Sequence, residues 1–344
     1  MRAATANLPA YSLFAAMLAM AGLPIYIHAP KFYVDEYGVS LAALGGVLFA
    51  LRLIDVVQDP VLGWLSRRLR HTRRAAVAVG GGAMVLAMIG LFVVAPPINP
   101  LLWFALTLAL LFSGFSFLTI SFYAQGVAKA RSLGHDGHVR LAGWRETGAL
   151  LGVSVAAVAP VALGGLSGPP FALFSGLFAG LAILAVALMR REWRSVDVTN
   201  TSGFHEILSD AKSRRILLIS LLNAAPVAVT STLFLFFVES RLAAPGWEGP
   251  LLLLFFLAAA ASAPFWSRIA MRIGAKAALM SGMALAILAF GWAFLLGPGD
   301  VWPFAIICIA SGAALGADMT LLPAIFAARV AEVSPEAAEG FGLW

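Results

Sequence analysis

The sequence predicts an all-α membrane protein, and three observations predict it. Of its 344 residues, 61% are hydrophobic and only 12% are charged, whereas a soluble domain carries about 25% charged residues. So few charges cannot cover a water-facing surface at this length, and the excess apolar surface must face lipid. The apolar residues also gather into stretches of about 20 or more, the length an α-helix needs to cross the hydrocarbon core. Finally, the stretches are separated by helix breakers or by charged turns.

Ten spans follow in order. The first, 9–31, is uncharged until Lys31. The second, 41–65, ends at the arginine run Arg67–Arg74. The third, 75–95, stops at Pro96-Pro97, and the fourth, 100–127, at the Lys129–Arg140 turn. The fifth, 141–164, ends before Gly168-Pro169-Pro170, which opens the sixth, 170–189. The seventh, 214–238, begins at Arg214-Arg215 and ends before Pro245-Gly246. The eighth, 249–268, is bounded by Arg268, Arg272 and Lys276. The ninth, 275–297, runs into Gly297-Pro298-Gly299, and the tenth, 301–328, ends at Arg329.

Charge sets the expected orientation. With the N-terminus in the cytoplasm, all but four of the 23 Lys and Arg fall in inside loops. The exceptions are Lys31 and Arg241 in outside loops and Arg52 and Arg145 within spans. Such asymmetry is the positive-inside pattern. It also explains the net charge of +6 without a nucleic-acid partner. No cleavable leader is expected, because the first apolar stretch is long enough to span.

The longest polar stretch, Arg190–Arg215, divides six spans from four. The expected organisation is a six-helix bundle over 1–189, a cytoplasmic linker over 190–213, and a four-helix bundle over 214–344. A central loop after six spans is the mark of a two-bundle transporter. The second half would then be two spans short, which reads as an incomplete chain.

The charges within the spans point to function. Arg52, Asp55 and Asp59 are spaced by three and four residues, which puts them on one face of the second helix. An ionised group at bilayer depth is costly and normally faces a cavity or a partner. Two carboxylates one turn apart suit a small hard cation, which takes oxygen ligands. They also suit a proton, since protonating one acid relieves the repulsion between two. Arg52 can neutralise one acid when no cation is bound. The three also suit an ion-pair network that only fixes helix packing.

Arg145 and Glu146 open the fifth span in Gly143-Trp144-Arg145-Glu146. Arg145 has the donors to hold a substrate hydroxyl or carboxylate, or it anchors the helix at the interface with Trp144, or it pairs permanently with Glu146 or Asp55. Asp318 is a further buried acid. Gly312 and Gly316 form a small-xxx-small pair suited to helix packing. Three features carry little. Cys308, the single cysteine, reads as a small buried hydrophobe. His135-Asp136-Gly137-His138 reads as a solvated turn. No phosphate-binding loop or dinucleotide fingerprint is present, which disfavours ATP-driven transport.

At these residues the chain resembles the glycoside–pentoside–hexuronide:cation symporters, the melibiose-permease-like branch of the major facilitator superfamily. The match starts at Tyr33-Val34-Asp35-Glu36-Tyr37-Gly38-Val39-Ser40 and is strongest through Arg52–Trp64, where Arg-x-x-Asp-x-x-x-Asp-Pro-x-x-Gly is fairly specific. It continues at Ile120–Tyr123, Arg140–Gly148, Leu222-Asn223, Phe236–Glu239, Pro264–Lys276 and Gly312–Ala324.

The resemblance implies twelve helices in two six-helix bundles, of which ten are present, working by alternating access in a bacterial inner membrane. It implies cation-coupled symport of a small, sugar-like solute, with Na⁺ or H⁺ as the coupling ion and no cofactor. It assigns the cation to Asp55 and Asp59, with Gln58 where the pattern often has Asn and Ser116 as a hydroxyl ligand. Arg145 matches a substrate-side arginine. Tyr26, Thr119, Tyr123 and Asn223 join it around the expected substrate, and Arg52, Glu146 and Asp318 form a charge network.

Two departures stand out. Ala19 and Thr119 fall near the places where the family has sugar-gripping acids, and Arg67 and Arg68 replace an acid after the second helix. A lysolipid or other amphipathic solute is therefore a second expectation. A truncated membrane protein that does not transport is a third.

Overall fold

Where backbone cannot bond to water it must bond to itself, and the described residues are accordingly helical wherever they are regular, with no strand among them. The computed structural model describes residues 7–164, 168–193, 204–333, 341 and 343. The helices are α1 (Leu8–Met20), α2 (Leu23–Tyr37), α3 (Leu41–Arg68), α4 (Arg73–Phe92), α5 (Pro100–Arg131), α6 (Gly137–Leu163), α7 (Pro170–Met189), α8 (Phe204–Ser209), α9 (Ala211–Phe236), α10 (Glu248–Ile273), α11 (Ala275–Ala293) and α12 (Val301–Val333).

Among the described residues seven helices are long and apolar enough to cross a membrane: α3, α4, α5, α7, α10, α11 and α12. At 27 and 26 residues, α6 and α9 have the length for it as well. The chain is thus an integral membrane protein built from helices.

The first span departs from the expected single helix over 9–31. It breaks at Ala21-Gly22, where the Ala21 and Gly22 N–H groups bond back three residues, to Leu18 and Ala19, and close α1. The second piece, α2, starts with a proline in its first turn, where the missing N–H costs nothing. Several other helices overrun the expected spans: α3 reaches Arg68, α5 Arg131 and α12 Val333. Charged residues at such ends reach back to the membrane surface and do not stop a helix.

The expected linker over 190–213 is partly ordered as helix. Residues 194–203 lie outside the described residues, but α8 occupies 204–209 and α9 starts at Ala211 instead of 214. Asp210 explains the early start. Its Oδ2 accepts from the Ser213 backbone N–H at 2.8 Å and from the Ser213 hydroxyl at 2.7 Å, which is how an N-cap satisfies an orphan donor. At the other end α9 closes in a π turn over Phe237–Arg241.

Glycines decide where helices meet. A Cβ at Gly148 or Gly152 of α6 would overlap the carbonyl oxygens of Ser12 and Ala16, so α6 lies directly on the α1 backbone. On its other side, a Cβ at Gly143 would come within 2.8 Å of the Ser267 Cβ of α10. The Ser267 hydroxyl donates to the Val139 carbonyl at 3.0 Å. Gly312 and Gly316 of α12 press against the carbonyls of Phe255 and Ala259 on α10. The packing role expected of that pair is what the structure shows. Small residues let backbones approach closely where lipid supplies no hydrophobic drive.

Candidate functional site

The helix α3 carries Arg52, Asp55, Gln58 and Asp59 along one stretch, as their spacing requires. Arg52 Nη1 lies 3.5 Å from Asp55 Oδ2, a long and weak contact, with the arginine side chain 61% exposed. The same guanidinium sits over the Tyr26 ring of α2, 4.4 Å from its centre. Tyr26 in turn stacks on Phe112 of α5 at 4.9 Å. Tyr26, expected beside the substrate, is therefore a neighbour of the acids.

Asp59 meets α5. The Ser116 hydroxyl stands beside its carboxylate, while Asp59 Oδ1 is buried with no hydrogen-bond partner, as is Gln58 Nε2. An unmet carboxylate oxygen and an unmet amide N–H in a buried place are costly unless something binds there. One turn along from Ser116, the Thr119 hydroxyl is also buried and unpartnered. One further turn brings Tyr123. Ser116, Thr119 and Tyr123 are spaced by three and four, so they share one face of α5.

At Tyr123 that face meets α6. The Arg145 guanidinium lies 3.8 Å from the centre of the Tyr123 ring. Its Nε donates to Glu146 Oε1 at 2.7 Å, and the two side chains are 7% and 3% exposed. The Tyr123 hydroxyl donates to the same oxygen at 3.3 Å. Arg145 Nη2 remains buried without an acceptor. The interfacial-anchor reading of Arg145 is thereby corrected, since the side chain is buried in a polar cluster. Of the guanidinium expected to meet substrate, Nε is engaged by Glu146 and the buried Nη2 has no acceptor.

Asn223 and Asp318 form a separate pair. Asn223 Nδ2 donates to Asp318 Oδ2 at 2.5 Å across α9 and α12, leaving Asp318 Oδ1 buried and unpartnered. No described contact joins this pair to Arg145. The expected charge network of Arg52, Glu146 and Asp318 therefore resolves into three local clusters.

The sequence reading missed a fourth polar cluster, at the arginine-rich end. Arg73 Nη1 donates to Gln125 Oε1 at 3.1 Å, and Gln125 Nε2 donates to the Glu192 carbonyl at 2.7 Å. Lys129 pairs with the Glu192 carboxylate at 2.7 Å. Gln125 and Lys129, four apart on α5, were the available signal. Nearby, the hydroxyls of Ser66 and Ser121 tie α3 to α5 at 2.7 Å. A salt bridge also closes the far end of the chain: Arg329 of α12 meets Asp210 at 2.5 Å and Glu332 at 2.6 Å. These hydrogen bonds from Arg329 hold the Asp210 carboxyl well below the usual carboxylate range.

The described helices thus carry acids, an arginine and unmet polar groups within apolar stretches long enough to cross a membrane. No curated protein matches the chain. A family model described as MFS/sugar transport protein matches residues 9–338. The chain belongs to the MFS/sugar transport protein family, and with its apolar helices it is a membrane transporter of that family.

Proposed function

We propose that the protein is a cation-coupled symporter of the melibiose-permease-like branch, moving a small solute by alternating access between a bundle over 1–189 and one over 214–344. The observation that carries this is Asp59. Its Oδ1 is buried and unpartnered beside Ser116, one turn from Asp55. A sodium ion or a proton satisfies such an oxygen, and Gln58 and Ser116 supply further oxygens for a cation. The arginine-rich end then faces the cytoplasm, with the N-terminus inside a bacterial plasma membrane.

The solute contacts Arg145 and Thr119 through their unmet groups, and Tyr123 through its ring. Tyr26 and Asn223 complete the lining. A guanidinium nitrogen without an acceptor favours a solute with a carboxylate or phosphate. That observation, with Ala19 and Thr119 in place of acids, favours an anionic or amphipathic solute over a neutral sugar. The test is uptake by proteoliposomes of the full-length protein, with sodium, proton or no gradient, across galactosides, sugar acids and lysolipids. Gradient-driven accumulation of any one supports symport. Equal uptake with and without both gradients defeats it.

A further inference from the structure

A cavity lies away from these clusters, between α4 and α7. It has a volume of about 690 Å³, within the range of about 300–1,000 Å³ for ligand sites. Ala78, Gly82 and Val85 of α4 face Ile183 and Val186 of α7 across it, so its walls are apolar. At one end the lining changes character, to Arg74, Arg190 and Trp193.

That end is held rigidly. Arg74 Nε donates to the Trp193 carbonyl at 3.2 Å, and Gln125 and Lys129 fix Glu192 beside it. Trp193 is 3% exposed, yet its indole N–H has no acceptor. Among the described residues neither Arg74 nor Arg190 has an ion-pair partner. Two guanidinium groups and a buried tryptophan with an unsatisfied N–H therefore line one end of an apolar groove.

We propose that this groove holds an anionic glycerophospholipid, with an acyl chain along the α4–α7 cleft and its phosphate between Arg74 and Arg190. Guanidinium groups hold phosphate oxygens in a planar fork. Basic pockets between helices on the cytoplasmic side attract anionic headgroups, and tryptophan favours the headgroup level. A soluble anion would not need the apolar walls, and a neutral lipid would not need the arginines. This site is independent of the transport site.

Native mass spectrometry of the full chain, with dioleoylphosphatidylglycerol and dioleoylphosphatidylcholine in competition, tests the proposal. The expected result is one phosphatidylglycerol retained with a preference on the order of tenfold, from two arginines near the surface. Arg74→Gln with Arg190→Gln should abolish the preference. Gly82→Trp should remove the adduct altogether, because a Cβ there meets nothing and a large side chain enters the groove. An adduct that persists unchanged in Gly82→Trp overturns the proposal, as does a preference that survives in the double Gln variant. Displacement of the lipid by millimolar glycerol phosphate shows an anion site without a lipid and also overturns it. If the double Gln variant does not fold, Gly82→Trp alone decides.

Discussion

Arg145 and Glu146 are sequence neighbours that nevertheless form a buried ion pair, Nε to Oε1 at 2.7 Å. Adjacent residues on a helix point about 100° apart, so the long arginine side chain must curl back to make the contact. Tyr123 helps to hold it there, with its ring under the guanidinium and its hydroxyl on the shared oxygen.

A first prediction follows from that geometry. Glu146→Gln leaves a buried guanidinium without its counter-charge, and breaking a buried pair from one side costs about 3–5 kcal/mol. Replacing both, as Arg145→Gln with Glu146→Gln, should recover part of the loss. Thermal unfolding of the purified variants measures it. Additive losses in the double variant would show that the pair is not coupled.

Arg145→Lys should also weaken solute binding, because an ammonium cannot both pair with Glu146 and keep a planar donor edge for substrate. Binding to the full-length protein should fall by about tenfold or more, the loss of one charge-assisted hydrogen bond. Unchanged affinity would assign Arg145 a packing role alone.

Asp55→Asn and Asp59→Asn should each remove the dependence of uptake on the coupling cation and leave the fold intact. An amide keeps the size of the acid and removes the charge that compensates the cation. The measurement is uptake against sodium and proton concentration. Unaltered cation dependence in the Asp55→Asn, Asp59→Asn double variant would falsify the assignment.

The Asp210–Arg329 bridge carries a pH dependence. The folded-state pKa of Asp210 is depressed by Arg329, so its contribution to stability is present above the ordinary carboxylate value of about 4. It is lost progressively as pH falls below that value. Asp210→Asn should therefore lower the melting temperature at pH 7, and the gap from the unaltered protein should narrow below about pH 4. A gap that stays constant down to pH 3 would mean that the carboxylate charge is not what stabilises α8 and α9 against α12.

Gly312→Leu should force α12 away from α10, since its Cβ would overlap the Phe255 carbonyl. Gly176→Leu on α7 is the matched control, because nothing lies within 4 Å of a Cβ there. Folded yield from size-exclusion chromatography should fall sharply for the first and hold for the second.

Much of the fold could be read from the sequence because lipid imposes one rule, that long apolar runs form helices. The rule says little about breaks within a run. Ala21 and Gly22 are as apolar as their neighbours, so the bend between α1 and α2 carried no polarity signal. Apolar windows also could not foresee helix continuing through Arg67-Arg68, or α8 forming within the polar linker.

The site was legible where the helical period alone places side chains together, as for Arg52, Asp55 and Asp59. It was not legible where contacts join distant residues. Asn223 and Asp318 are 95 residues apart, and nothing in either segment names the other. Between Glu146 and Asp55 as partners for Arg145 the sequence could not choose, since neighbours on a helix point about 100° apart and only the curl of the long arginine side chain brings it to Glu146.

The two glycine-lined faces of α6 have a mechanical consequence. Interlocked side chains resist sliding, because each must leave its rotamer before its neighbour can pass. Gly148 and Gly152 offer almost no such teeth where they meet α1, whereas α6 meets α10 both at Gly143 and through the buried Leu150, which packs on Phe256 and Ala259. A turn of α6 against α10 would have to release both the Ser267 to Val139 hydrogen bond and the packing of Leu150 on Phe256. The helix that carries Arg145 and Glu146 would then form the seam of the first proposed bundle against the second, with its charged pair beside the surface on which they turn.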